Sequence, residues 1–145
     1  MYTLTQIKRG SRAFLGTAAI LLAGCAGMSA DNGIKVMLSG SQEVPPVATS
    51  ATGSGTIVIG SDKSVSGSVT TTGVAATAAH IHVGAPGKNG PVIVPLAKTA
   101  DNVWSVAAGA KLTDAQYESF KAGELYVNVH SAANKGGEIR GQLNP

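Results

Sequence analysis

From residue 34 onward the chain alternates apolar and polar side chains in short runs separated by glycine, proline and asparagine, a pattern that predicts strands with one buried face. Ile34, Val36 and Leu38 alternate with Lys35, Met37 and Ser39, so the first strand turns its three aliphatics inward. A second strand over 53–59 ends in the β-branched run Thr56-Ile57-Val58-Ile59, and the turn Gly60–Lys63 joins it to a third over 64–72 as a hairpin. Strands follow over 77–83, 91–96, 102–106, 125–131 and 138–143. The run over 91–96 is bounded by Pro91 and Pro95, which predicts an edge or a bend, and Pro45 with Pro46 predicts an extended edge protector. One segment breaks the period: 112–123 offers Thr113 as an N-cap, polar residues in its first turn and Gly123 as its stop, and so reads as a short helix. Its Tyr117, Phe120 and Leu112 lie near one side, which suits a helix laid over an open end of the sheets, while Trp104 closes one end of the core. The expected fold is all-β, an antiparallel Greek-key-like β-sandwich or barrel with one short helix.

The same period places the candidate chemistry. In Ala79-His80-Ile81-His82-Val83 the two imidazoles share one strand face, with Ile81 and Val83 on the other. In Leu125-Tyr126-Val127-Asn128-Val129-His130, the aliphatics take one face and Tyr126, Asn128 and His130 the opposite one. If these strands are neighbours, all three histidines of the chain converge. Alternate strand residues stand about 6.6 Å apart, a gap two imidazoles can close on one ion at about 2.0 Å per bond. Imidazole suits copper, zinc, iron and nickel, and copper(II) heads the affinity order, so copper is the first expectation and zinc the second for a His80, His82, His130 site. The competing reading makes these histidines hydrogen-bonded structural residues, with Asn128 and Tyr126 as natural partners. Glu138 and Arg140 share the outward face of the last strand, either as a solvated pair or with Arg140 orienting a ligand or pinning Glu43.

The N-terminal stretch changes the charge argument. Lys8, Arg9 and Arg12 precede the apolar run Ala13–Ala23, which is short for a membrane span and reads as an export signal over 1–24. It ends in Leu22-Ala23-Gly24-Cys25, which resembles the bacterial lipobox and implies lipidation at Cys25, followed by a flexible tether over 25–33 and a domain over 34–145. Ala26 resembles the residue that, in a Gram-negative cell, directs lipoproteins to the outer membrane. Cys25 is the only cysteine, so a disulfide, a thiolate metal site and a thiol nucleophile are all excluded once it anchors lipid. The chain carries a net charge of +3, but the three basic residues of the signal account for it, and the remainder is balanced. An even charge and 4% aromatic content argue against a nucleic-acid partner.

Several blocks taken together carry a family resemblance: Leu38-Ser39-Gly40-Ser41-Gln42-Glu43-Val44-Pro45-Pro46-Val47, Ala79–Gly84, Gly90-Pro91-Val92, Tyr126–Ser131 and Gly136–Leu143. In content and order they resemble the signature of the CHRD domain, a module named from the animal protein chordin and found in many bacterial secreted proteins. The resemblance covers the whole mature domain. It implies an exported β-domain and not chordin's growth-factor antagonism, which involves other modules. A fainter similarity links His80-Ile81-His82 with its Gly-rich sequel, and Gly137–Gly141, to copper/zinc superoxide dismutase. That enzyme's pattern also needs more histidines, an aspartate and a disulfide, which this chain does not supply.

Three functions are therefore weighed. The first is a lipid-anchored envelope protein that binds a metal ion through His80, His82 and His130, with Asn128, Tyr126, Arg140 and Glu138 supporting them. The second is a structural or interaction module whose loops over 40–47 and 84–90 engage an envelope partner. A metalloenzyme ranks last, because no separate acid/base pair or activated nucleophile accompanies the histidines.

Overall fold

The computed structural model describes residues 33–145, so the calls on the signal, on Cys25 and on all of the tether but Gly33 lie outside the described residues. Eight strands run as β1 (Ile34–Ser39), β2 (Thr52–Ile59), β3 (Val65–Thr72), β4 (Ala76–Val83), β5 (Val92–Ala100), β6 (Val103–Val106), β7 (Leu125–Ser131) and β8 (Ile139–Leu143), with helix α1 (Asp114–Lys121) before β7. They close into one antiparallel barrel in the order β1-β2-β3-β6-β5-β4-β7-β8. Of the two expected architectures, the barrel is the one formed. Closure pairs β1 with β8 through Ser39 and Arg140.

The predicted alternation sets the inside. Val36, Leu38, Ile57, Val69, Ile81, Leu125, Val127, Val129, Ile139 and Leu143 are all buried in one core with Trp104. Room is tight between β2 and β3, where a Cβ on Gly55 would collide with the Ser68 carbonyl and lie 2.8 Å from Val69 Cγ1. The helix forms as its sequence demands. Thr113 Oγ1 accepts from the Gln116 N–H at 3.2 Å while Gln116 Oε1 accepts from the Thr113 N–H at 2.9 Å, completing a capping box. Phe120 and the preceding Leu112 enter the core.

Two expectations are corrected. β5 is longer than the 91–96 expected, running past Pro95 to Ala100; its residues 92–95 pair with β4 alone, as a proline-bounded edge would, and β6 joins only from Leu96 onward. Pro95 lies opposite His80 in the β4 ladder and has no partner in β6, so it occupies a locally one-sided position where a missing N–H is tolerated; the register shifts between Ile81 and His82, nearer Val92. Pro45–Pro46 does not protect an edge, since a closed barrel has none to protect; the chain turns through a 3-10 turn at Gly40–Gln42 and crosses outside the barrel to β2.

Because Ile81 is fully buried between β5 and β7, Ile81→Ala is expected to lower unfolding free energy by about 2–5 kcal/mol in guanidinium titration, as large-to-small core changes do.

Candidate metal centre

The ladder β4–β7–β8 has two faces. Inward, Ala79, Val129 and Ile139 form one row and Val83, Leu125 and Leu143 another. Outward, His80 faces Asn128 and then Arg140, His82 faces Tyr126 and then Gln142, and Ala78 faces His130. The segments 40–47, 84–90 and 132–137 fold over this outer face, so that His82, Tyr126, Asn128 and Arg140 are buried although they point away from the core.

The three imidazoles meet as the alternation predicts. One ligand nitrogen from each of His80, His82 and His130 lies within 4.8 Å of the others, and the ring centroids are 4.9 to 5.8 Å apart. Backbone carbonyls orient two of the rings. His82 Nδ1 lies 2.9 Å from the Gly90 carbonyl and His130 Nδ1 lies 2.9 Å from the Lys135 carbonyl. A carbonyl only accepts, so both Nδ1 atoms carry the proton and both Nε2 atoms present lone pairs. His80 Nδ1 sits 3.1 Å from His130 Nε2 and donates to it. His82 Nε2 is buried with no hydrogen-bond partner among the described residues. Burial foremost, and then the neighbouring imidazoles, lower the His80 pKa; burial also dominates in lowering that of His82, against the Gly90 hydrogen bond. Both rings are therefore neutral at neutral pH and have lone pairs to offer.

The supporting residues divide. Tyr126 stacks on His82 with centroids 4.9 Å apart and 12° between planes, and its hydroxyl accepts from the Gly90 N–H at 3.1 Å, so one tyrosine braces both the ring and the loop that holds it. Arg140 lies over the Tyr126 ring, its Cζ 3.5 Å from the centroid. The expected solvated Glu138–Arg140 pair does not form. Arg140 is 1% exposed, and its guanidinium donates to the Lys88 and Ala85 carbonyls at 3.0 and 3.3 Å and to Gln142 Oε1 at 3.2 Å. It thus pins the 84–90 loop and makes no hydrogen bond to Glu43. Glu138 instead accepts from Thr49 Oγ1 at 2.9 Å. Neither Asn128 nor Glu138 bonds a histidine. Sequence reasoning named neither Gly90 nor Lys135 as an orienting group, because a carbonyl acceptor leaves no mark on residue type.

Asn128 belongs to a second buried cluster. Its Nδ2 donates to Glu43 Oε2 at 3.4 Å, while Glu43 Oε1 and Asn128 Oδ1 are buried acceptors without partners among the described residues. Both crowd Gly137, whose φ of 136° and lack of room make it intolerant of a side chain: a Cβ there would lie 2.6 Å from Glu43 Oε1 and collide with the Asn128 amide. A proton on Glu43 supplies the donor that this pair lacks. Consistent with that, burial raises the Glu43 pKa to about 7, overriding the nearby Arg140 charge.

With this outer-face geometry in place, the comparisons with known proteins fall into context. A family model described as the CHRD domain matches residues 34–143. The chain belongs to the CHRD-domain family. The match spans β1 through β8 and so includes all three histidines, Glu43, Asn128 and Arg140. No curated protein and no solved structure matches the chain.

The folded-state Glu43 pKa lies above its ordinary value of 4.5, so its contribution to CHRD-domain stability is complete below that pH and is lost as the pH rises through about 7. The stability difference between wild type and the permanently neutral Glu43→Gln, followed by chemical denaturation, is expected to shift against the wild type across this window. A pH-independent difference would assign the proton elsewhere.

Proposed function

We propose that this CHRD domain is an exported, lipid-anchored binding module of the cell envelope that holds one metal ion through His80, His82 and His130. The observation that carries the reading is the meeting of three imidazoles, two of them aimed by backbone carbonyls, around a buried His82 Nε2 that has no hydrogen-bond partner among the described residues. A second ring nitrogen held by a carbonyl is the usual support of a ligating histidine, since it fixes the tautomer and the ring plane. The His80–His130 hydrogen bond marks the only rearrangement required: the His80 Nδ1 proton must leave or move to Nε2 before that nitrogen can ligate. A three-nitrogen set without thiolate favours copper first and zinc second. Zinc bound by three protein nitrogens would keep a fourth position open. Binding without chemistry is favoured over dismutase-like turnover, since the groups around the histidines are committed to holding loops. An interaction module with structural histidines is the second reading, supported by the same carbonyl hydrogen bonds.

Calorimetric titration of the purified full chain with copper(II) and zinc is expected to show one site, weakened at least about tenfold in His80→Ala and in His82→Ala. His80 is the less buried of the two, and its variant separates ligand loss from loss of packing. Weak binding that is equal in all three proteins would favour the interaction module. For the anchor, the apolar run before Cys25 supports acylation there; two or more acyl chains hold a protein stably at a bilayer where one does not. In cells, Cys25→Ser is expected to move the protein from the detergent-rich to the aqueous phase on Triton X-114 partition. Retention in the detergent phase would replace the lipid with another anchor.

A further inference from the structure

A metal ion held only by neutral ligands keeps its full charge. His80, His82 and His130 bring none to offset it, and the group that could hold an ion contains no carboxylate. Unbalanced charge in a partly buried place is costly, and the least costly remedy is an anion in the open coordination position.

The structure shows where that anion would enter. His80 and His130 line a cleft of about 500 Å³, together with Thr77, Ala78, Val92 and Lys135, whereas His82 forms the closed back of the cluster. Lys135 is the one charged side chain in the cleft wall, and it takes part in none of the ion pairs among the described residues. Its backbone carbonyl already holds His130, so its place beside the cluster is fixed while its ammonium remains free. Thr77 and Ser131 also line the cleft, their hydroxyls already engaged, the first donating to the His130 carbonyl at 3.3 Å and the second accepting from the Asn134 N–H at 3.0 Å. Val92, 48% exposed, adds an apolar flank.

We propose that the centre is completed by a small exogenous anion, which enters through this cleft, ligates the metal at the position left by the three imidazoles and is attracted there by Lys135. This deepens the metal-binding reading and rests on it. The cleft is larger than hydroxide requires, so the class of ligand is a small inorganic anion or short carboxylate, not a bulky polymer.

The full chain loaded with copper(II) would be titrated with azide, following the visible absorption and the electron paramagnetic resonance spectrum. The expected result is a new charge-transfer band that saturates, altered copper hyperfine parameters, and an azide affinity about threefold weaker or more in Lys135→Ala, which keeps the backbone carbonyl that holds His130, with each protein saturated with copper. Copper that binds with His80→Ala-sensitive affinity yet shows no spectral response to azide would overturn the anion site and leave the metal reading standing. Absence of histidine-dependent copper binding would overturn both. Equal azide affinity in copper-saturated wild type and Lys135→Ala would overturn the assignment of the attraction to the ammonium.

Discussion

The register between β4 and β7 is the constraint on which the rest depends. With His80 opposite Asn128 and His82 opposite Tyr126, Ile81 and Val83 of β4 and Leu125, Val127 and Val129 of β7 fall inside the barrel and all three imidazoles outside. Strand side chains alternate with a period of two, so a slip of one residue on either strand would drive imidazoles into the core and aliphatics out. The burial of Ile81, Val127 and Val129 thus fixes where the histidines stand. The hydrophobic energy that folds the barrel and the geometry of the candidate site are the same interaction seen from two sides of one sheet.

The outer face also has its own order. His82, Tyr126 and Arg140 stack in sequence, imidazole on phenol ring and guanidinium over that ring. The guanidinium in turn gathers the carbonyls of the 84–90 loop, and Asn89 Nδ2 donates to the Val44 carbonyl at 2.7 Å, which ties the two covering loops to one another. A buried arginine is costly unless its donors are satisfied, and here loop carbonyls satisfy them. Residues that face outward on an ordinary antiparallel barrel are solvated; here they form a second, polar interior.

How much of this was legible in the sequence follows from which interactions are periodic. Alternation placed His80 and His82 on one face of their strand and His130 opposite the aliphatics of its own, turned Val36 and Leu38 inward, and marked Thr113 as a cap, because each depends on residue type at fixed spacing; the pairing of the two histidine strands was left open. Closure into a barrel was one of two open outcomes, since the pairing of β1 with β8 joins the two ends of the domain through a single facing pair. The burial of Arg140 and Glu43 was not legible: both sit at polar positions of the pattern, and only the loops folded over them remove them from water. Pro91 and Pro95 marked the one-sided start of β5, but not its continuation to Ala100, because pairing with β6 begins only past Pro95 and leaves no local sign in the prolines.

The groups that aim His82 and His130 are main-chain oxygens of Gly90 and Lys135. Side-chain truncation cannot delete them, so alanine scanning would pass over Lys135, whereas at Gly90 any added Cβ, alanine's included, collides with the Val83 carbonyl. Their removal takes a shift of the chain itself, through an insertion, a deletion or a residue that Gly90 cannot accommodate against the Val83 carbonyl. Loop length in these two segments, more than loop composition, is therefore what related chains must preserve to keep the cluster assembled.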